Sequence, residues 1–317
     1  MTGLAVSRIA LGTWQLGGDW GATDEREAVH AIHTARKLGV NLFDTAQAYG
    51  FGASERLLGR ALAGDLHAHR DELVIATKGG LRPKAGGVVR DSSPEWLRRG
   101  VEQSLRALDV EYIDLYQVHW PDPAVLFEET ADALQQLVDE GKIRHIGVSN
   151  FDSAQLADFS RTRPVETVQP PYHLLRRGIE RDVLPYCREH DIGVLVYGAL
   201  AHGLLTGAMD VTTTFAAGDW RARSPIFRGD TFRRQLDVVR ELERFARDRG
   251  HTVSQLAIAW TLTHPSVQVA IVGSRRAAHV ADAVAALDFE LGPEDLAEIH
   301  LIVESAVPIG GPAPETV

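Results

Sequence analysis

Four residues of this sequence, Asp44, Tyr49, Lys78 and His119, are hard to explain as packing and easy to explain as chemistry. The stretch FDTAQAYG (43–50) runs from an apolar residue into the Asp44 carboxylate and reaches the Tyr49 phenol within one short loop of small residues. Lys78 ends the run ELVIATK, and His119 ends YIDLYQVH. A tyrosine ordinarily ionises near pH ~10, too high to shuttle a proton easily at neutral pH. An ammonium a few ångströms away stabilises the phenolate and lowers that value, at roughly 1.36 kcal/mol per pKa unit. A carboxylate beside the lysine keeps it charged and fixed, and a neutral imidazole can hold a substrate oxygen. Together the four could deliver a proton to a carbonyl oxygen while a hydride arrives at its carbon. Lysine is also rare here: of 33 basic residues only Lys37, Lys78, Lys84 and Lys142 are not arginine. A compact ammonium on a flexible stem reaches a phenol as a point charge, where arginine brings a wide planar fork.

The elements that must position these groups are legible as alternating short apolar runs and longer helical patterns. Residues 8–12, 41–44, 72–78, 112–119, 143–149, 166–170, 192–197 and 267–273 read as eight strands. Residues 92–108 open with Ser-Ser-Pro-Glu, a helix cap followed by an early proline. The apolar stripe from Phe127 to Glu140 stops at Gly141. Strands buried on both faces and each followed by a helix imply parallel pairing. Eight such units imply a (β/α)8 barrel in one domain spanning 1–317, with an irregular loop at 207–229 after the seventh strand and a loose tail at 308–317. In such a barrel the strand-ending Asp44, Lys78 and His119, with Tyr49 just above, converge on the C-terminal rim, where barrel active sites are built. Ending buried strands in three ionisable groups on one side would cost stability unless they were paired or solvated there.

Composition narrows the alternatives. A net charge of −10 over 317 residues argues against a nucleic-acid or anionic-membrane partner. No apolar run approaches the roughly 18 residues of a membrane span. The N-terminal MTGLAVSRIALGTW has no basic segment or small-residue cleavage site, so secretion is not expected. The single cysteine, Cys187, forms no intrachain disulfide, which points to a reducing cytoplasm. HAHR (67–70) precedes the third strand, on the opposite rim, without a supporting Cys or carboxylate cluster, so no metal site is expected.

Read with these motifs, the chain resembles the aldo-keto reductase family over nearly its whole length. The likeness is carried by GTW (12–14), FDTAQAYG (43–50), TKGG (77–80), YIDLYQVHWPD (112–122), GKIRHIGVSNF (141–151), VQPPYHLL (168–175), VYGALAHGLLTG (196–207) and AIVGSRR (270–276). The resemblance implies a tetrad in which Tyr49 is the general acid, Lys78 lowers its pKa, Asp44 supports Lys78 and His119 orients the carbonyl. It also implies a nicotinamide cofactor. No GxGxxG follows a strand, so a Rossmann site has no support. VGSRRAAHVADA (272–283) instead offers a phosphate site after the eighth strand, at Gly273 and Ser274. Arg275 and Arg276 could grip a 2′-phosphate, favouring NADP(H). By the same resemblance Ser149, Asn150 and Gln169 hold the carboxamide, Tyr197 stacks on the nicotinamide, and Gly198, Leu200, Gly203 and Leu205 line the pyrophosphate side. Gly12, Thr13, Trp14 and Asp44 complete the cofactor set. His279 and Ala283 stand where relatives commonly have Gln and Asn at the adenine.

Trp14, Tyr49, His119 and Trp120 would form the substrate pocket, with Trp20, Phe51 and Tyr172 close in sequence. An aromatic mouth suits aromatic or medium-chain aldehydes and ketones and leaves sugar-like substrates open, although tryptophans also serve core packing. The competing function is a non-catalytic NADP(H)-binding regulator on the same fold, since fold alone does not establish activity. A lyase or isomerase on a generic barrel would need no nicotinamide.

Overall fold

The computed structural model describes residues 2–18, 20, 24–85, 87–216 and 219–310. Its strands are β1 (Ile9–Gly12), β2 (Leu42–Asp44), β3 (Val74–Gly79), β4 (Leu81–Lys84), β5 (Gly87–Arg90), β6 (Ile113–Val118), β7 (Ile143–Ser149), β8 (Thr167–Gln169), β9 (Gly193–Tyr197) and β10 (Val269–Gly273). All but β4 and β5 form one closed barrel, in which consecutive barrel strands are neighbours and β10 closes onto β1. Every barrel pairing is parallel. The eight strands read from the sequence are these eight, each boundary agreeing within two residues. The antiparallel hairpin β4–β5 was not among them.

Helices α1 (Glu25–Lys37), α2 (Ala53–Ala68), α3 (Pro94–Leu108), α4 (Phe127–Asp139), α5 (Ser153–Phe159), α6 (Val183–Glu189), α7 (Gly229–Arg247), α8 (Val253–Thr263), α9 (Ala277–Ala285) and α10 (Pro293–Glu304) connect and follow the strands. The sequence explains their ends. Ser93 accepts a hydrogen bond from the Trp96 amide ahead of Pro94, which starts α3. Gly141, at φ 72°, takes the left-handed conformation that stops α4. The stretch between Gly207 and Gly229 is irregular in its described residues, with short 3-10 turns at Trp220–Ala222 and Pro225–Phe227. Of the expected loose tail, Ile309 donates its amide to the Leu175 carbonyl at 2.8 Å, and residues 311–317 lie outside the described residues.

Alternation along the strands divides the core in two. Ala10, Leu42, Val74, Ala76, Leu115, Leu195, Val269 and Ile271 pack together inside the barrel. Their neighbours, such as Phe43, Ile75, Tyr116 and Val148, belong to the larger layer between barrel and helices. With a period of two, the next inward layer toward the C-terminal rim falls on Gly12, Asp44, Lys78, Gln117, Gln169, Tyr197 and Gly273.

Candidate active site

That layer is polar and is satisfied internally. Lys78 Nζ donates to Asp44 Oδ1 at 2.6 Å, to the Thr45 carbonyl at 2.9 Å and to Tyr49 Oη at 3.4 Å. Across the barrel, Gln169 Nε2 donates to Asp44 Oδ2 at 2.8 Å and Gln117 Nε2 to the same oxygen at 3.4 Å. All four members of the predicted tetrad are buried, Asp44 at 3 %, Tyr49 at 7 %, Lys78 at 1 % and His119 at 2 % exposure. A buried ammonium is tolerable only with a carboxylate and further acceptors around it, and Lys78 has both. The Tyr49 and His119 rings meet edge to face, their centroids 5.8 Å apart. Burial, and secondarily the Lys78 charge, hold the His119 imidazole well below its ordinary pKa, so it is neutral at pH 7. Its Nδ1 is buried with no hydrogen-bond partner among the described residues. A phenol touching an ammonium, beside a neutral imidazole, can pass a proton to a small oxygen-bearing ligand.

Above this floor opens a cleft of about 750 Å³, within the range of roughly 300–1,000 Å³ usual for ligand and cofactor sites. The sequence-predicted residues Gly12, Thr13, Trp14, Asp44, Tyr49, His119, Ser149, Gln169, Tyr197, Gly198, Leu200, Gly203, Gly273, Ser274, Arg275 and His279 line it, and Arg276 and Ala283 with them. Lys78 sits beneath the lining, reaching the cleft only through Tyr49 and Asp44. Asn150 also stands behind it: Nδ2 donates to Ser149 Oγ at 3.1 Å and to the His119 carbonyl at 3.0 Å, and Oδ1 accepts from Tyr197 Oη at 2.8 Å.

Other expected residues are elsewhere. Leu205 is fully buried in the core behind the loop after β9. Trp120 is not among the residues lining the cleft; it clusters with Leu81 of the hairpin, Ala48 and Tyr197, with the Arg90 guanidinium 5.1 Å from its ring. Tyr172 lies against Trp260 and donates its hydroxyl to Glu180 at 2.6 Å, and Phe51 is exposed.

Several contributors were not singled out. Gln117 falls two positions before His119, and the period of two could have found it. Gln15, His202 and Arg221 line the cleft from loops, where no period operates. Arg221 donates to the His202 carbonyl at 3.2 Å, grips Asp219 at 2.6 Å, and stands 4.7 Å over the Trp20 ring. Trp14, Trp20, Trp220 and His202 thereby enclose the mouth, Trp14 to Trp20 at 5.0 Å and His202 to Trp220 at 4.9 Å between centroids.

The match to the Aldo/keto reductase family model spans residues 8–304. The chain belongs to that family. This aldo/keto reductase is 42% identical to aldo-keto reductase YhdN of Bacillus subtilis, covering 98% of the chain and 94% of the relative. It is 32% identical to an NADH-specific methylglyoxal reductase of Escherichia coli, over 96% and 97% of the two chains. Among solved structures it superposes on the glycerol dehydrogenase AKR11B4 of Gluconobacter oxydans with a TM-score of 0.88 at 41% identity, covering 98% and 95%. An aldo-keto reductase of Klebsiella pneumoniae in complex with NADPH gives a TM-score of 0.73 at 32% identity, covering 94% and 91%. Membership makes the protein an oxidoreductase. Among the described residues no helix is long and apolar enough to cross a membrane, and no cluster of three or more His, Cys, Asp or Glu could hold a metal ion.

Proposed function

We propose that this protein interconverts aldehydes or ketones and alcohols with NADP(H), Tyr49 giving its proton to the carbonyl oxygen in the reducing direction. The observation that carries this reading is the Lys78 ammonium 3.4 Å from Tyr49 Oη and 2.6 Å from Asp44 Oδ1 at the floor of an aromatic cleft. As the proton leaves Tyr49, the phenolate that remains faces a charge already anchored by Asp44 and the Thr45 carbonyl, so little reorganisation is required. The neutral His119 can donate an N–H to the same carbonyl oxygen without bringing a second positive charge beside Lys78.

The lining fits a nicotinamide dinucleotide by the chemistry of its two ends. Near the floor, Ser149 and Gln169 offer amide-matching groups beside the Tyr197 ring, and Asn150 braces them from behind. At the far end Ser274, Arg275 and Arg276 precede α9, where guanidinium groups suit a 2′-phosphate. Gly198, Leu200 and Gly203 lie between, along the pyrophosphate side. When bound, the nicotinamide would supply or accept the hydride. The substrate class follows from the mouth, where Trp14 lies 6.3 Å from the Tyr49 ring. Its aromatic walls suit aromatic or medium-chain carbonyl compounds.

The test is reduction of 4-nitrobenzaldehyde by NADPH. The unsubstituted chain should turn over and Tyr49→Phe should be slower by at least about 100-fold, the low end of what a positioned acid contributes. Equal rates would remove Tyr49 from its role, and NADPH binding with no turnover would favour the regulator instead. NADPH should bind more tightly than NADH, with Arg275→Ala narrowing the difference; tighter binding of NADH would overturn the 2′-phosphate assignment.

A further inference from the structure

Just outside the barrel wall, behind Lys78, lies a buried polar group that the proposed proton transfer does not use. Glu55, in the first turn of α2, is 0 % exposed and accepts a hydrogen bond from Thr77 Oγ1 at 2.7 Å. It makes no ion pair among the described residues, and burial pushes its carboxyl up against the downward pull of the Thr77 hydroxyl. A carboxyl placed there for packing alone would be a poor choice, because an apolar pair of the same bulk avoids the desolvation cost.

Its position in the chain suggests a different use. α2 begins directly after the loop that carries Tyr49, and Thr77 directly precedes Lys78. The Glu55–Thr77 bond is therefore a strut between the segment that holds the phenol and the strand that holds the ammonium. Backbone bonds stitch the near part of the same seam: Thr45 N to the Ala76 carbonyl at 2.9 Å and Gln47 N to the Lys78 carbonyl at 3.0 Å. At the far end, Ser54 N holds the Tyr49 carbonyl at 3.2 Å, one residue before Glu55. The distance being fixed is a sensitive one. At 3.4 Å the Lys78–Tyr49 contact is near the outer limit of a hydrogen bond, so a further shift of a few tenths of an ångström would lose it.

The surroundings of the strut are polar and closely packed. A Cβ on Gly79 would lie 1.8 Å from Tyr116 Oη, and one on Gly100 would lie 2.9 Å from Tyr116 Oη and 3.1 Å from Gln47 Oε1. Tyr116 Oη and Gln47 Oε1 are buried without a hydrogen-bond partner among the described residues, and the Ser104 hydroxyl joins that of Thr77 in pulling the Glu55 carboxyl down against its burial.

We infer that Glu55, acting through the Thr77 hydroxyl, is a positioning residue that sets the Lys78–Tyr49 distance. This rests on the proton-transfer reading above. The experiment compares the unsubstituted protein with Tyr49→Phe, Thr77→Val, Thr77→Ser and Glu55→Gln. It reads the single-turnover rate of NADPH oxidation by 4-nitrobenzaldehyde, the NADPH dissociation constant and the thermal midpoint. Thr77→Val keeps the side-chain shape and removes the strut, so the single-turnover rate should fall about tenfold while NADPH affinity stays within about twofold. Thr77→Ser and Glu55→Gln keep a donor and an acceptor and should stay within about threefold of the unsubstituted rate. Should Thr77→Val not fold, Glu55→Leu answers in its place with the same expected loss. A Thr77→Val rate indistinguishable from the unsubstituted rate, or equal losses in Thr77→Val, Thr77→Ser and Glu55→Gln, would overturn the positioning role. No turnover in the unsubstituted protein would overturn the proposed function and this role together. Turnover abolished in Tyr49→Phe but untouched in Thr77→Val would overturn the positioning role alone.

Discussion

Lys78 is the residue on which the site turns, and its surroundings explain why it can be buried. Two acceptors, Asp44 Oδ1 and the Thr45 carbonyl, take its strong hydrogen bonds, leaving the longer contact for Tyr49. Removing Asp44 would strand an ammonium in the barrel, a change that costs several kcal/mol in buried pairs generally. The residue after Lys78 is constrained equally tightly. Because a Cβ on Gly79 would fall 1.8 Å from Tyr116 Oη, Gly79→Ala should destabilise the fold by about 1–3 kcal/mol, the usual range for overpacking. Tyr116→Phe removes the clashing oxygen, which has no partner to lose among the described residues, and should recover part of that stability in the double variant. Urea denaturation of the two single variants and the double variant measures this, and a Gly79→Ala protein as stable as the original would refute the packing described. At this scale the tetrad was legible, since each of Asp44, Lys78 and His119 interrupts an apolar strand at its end. The place of Trp120 could not be read, because it follows the end of β6, in a bend where strand alternation no longer sets the direction of a side chain.

Among the elements, short helices at the rim depend on their caps. α5 has only seven residues and begins just past Ser149 and Asn150, with Asp152 and Gln155 forming a reciprocal capping box. Asp152→Ala should cost about 1 kcal/mol, within the usual ~0.5–2 range for lost caps. Weakened NADPH affinity should accompany it if α5 steadies the Ser149–Asn150 turn; equilibrium unfolding and NADPH titration of the same sample read both. An unchanged unfolding free energy would mean that the cap contributes nothing here. The hairpin β4–β5 escaped the sequence reading because its outer residues are largely exposed and lack an apolar run, although Leu81 is buried against Trp120. The loop after β9 was expected as an irregular insertion, and it is one. That its Trp220 and Arg221 reach back to Trp14, Trp20 and His202 could not be read, because those contacts join segments far apart in the chain.

For the molecule as a whole, buried neutral histidines tie stability to pH. Burial holds His119 and His173 well below their ordinary pKa and lowers His202 to about 4. The unfolded chain takes up protons on these rings below pH ~6.5 while the folded chain does not, so stability falls as pH drops from there. Each such ring contributes a slope of up to about 1.4 kcal/mol per pH unit until its folded pKa is reached. His173→Gln, which keeps an acceptor for the Leu175 amide now 3.3 Å from Nδ1, should flatten the decline between about pH 6.5 and 5 by up to one such increment. Parallel slopes for the two proteins would show that His173 does not titrate differently on folding. The sequence by itself determined the eight strands, their parallel pairing and the groups that end them, because short apolar runs each followed by a helix, and the cost of unpaired buried charge, are local signals. Only the closed barrel decided that Gln169 of β8 meets Asp44 of β2, that Asn150 braces the cleft from behind, and that Glu55 stands behind Lys78. Those contacts depend on barrel closure and helix placement, and neither is set by any local run of residues.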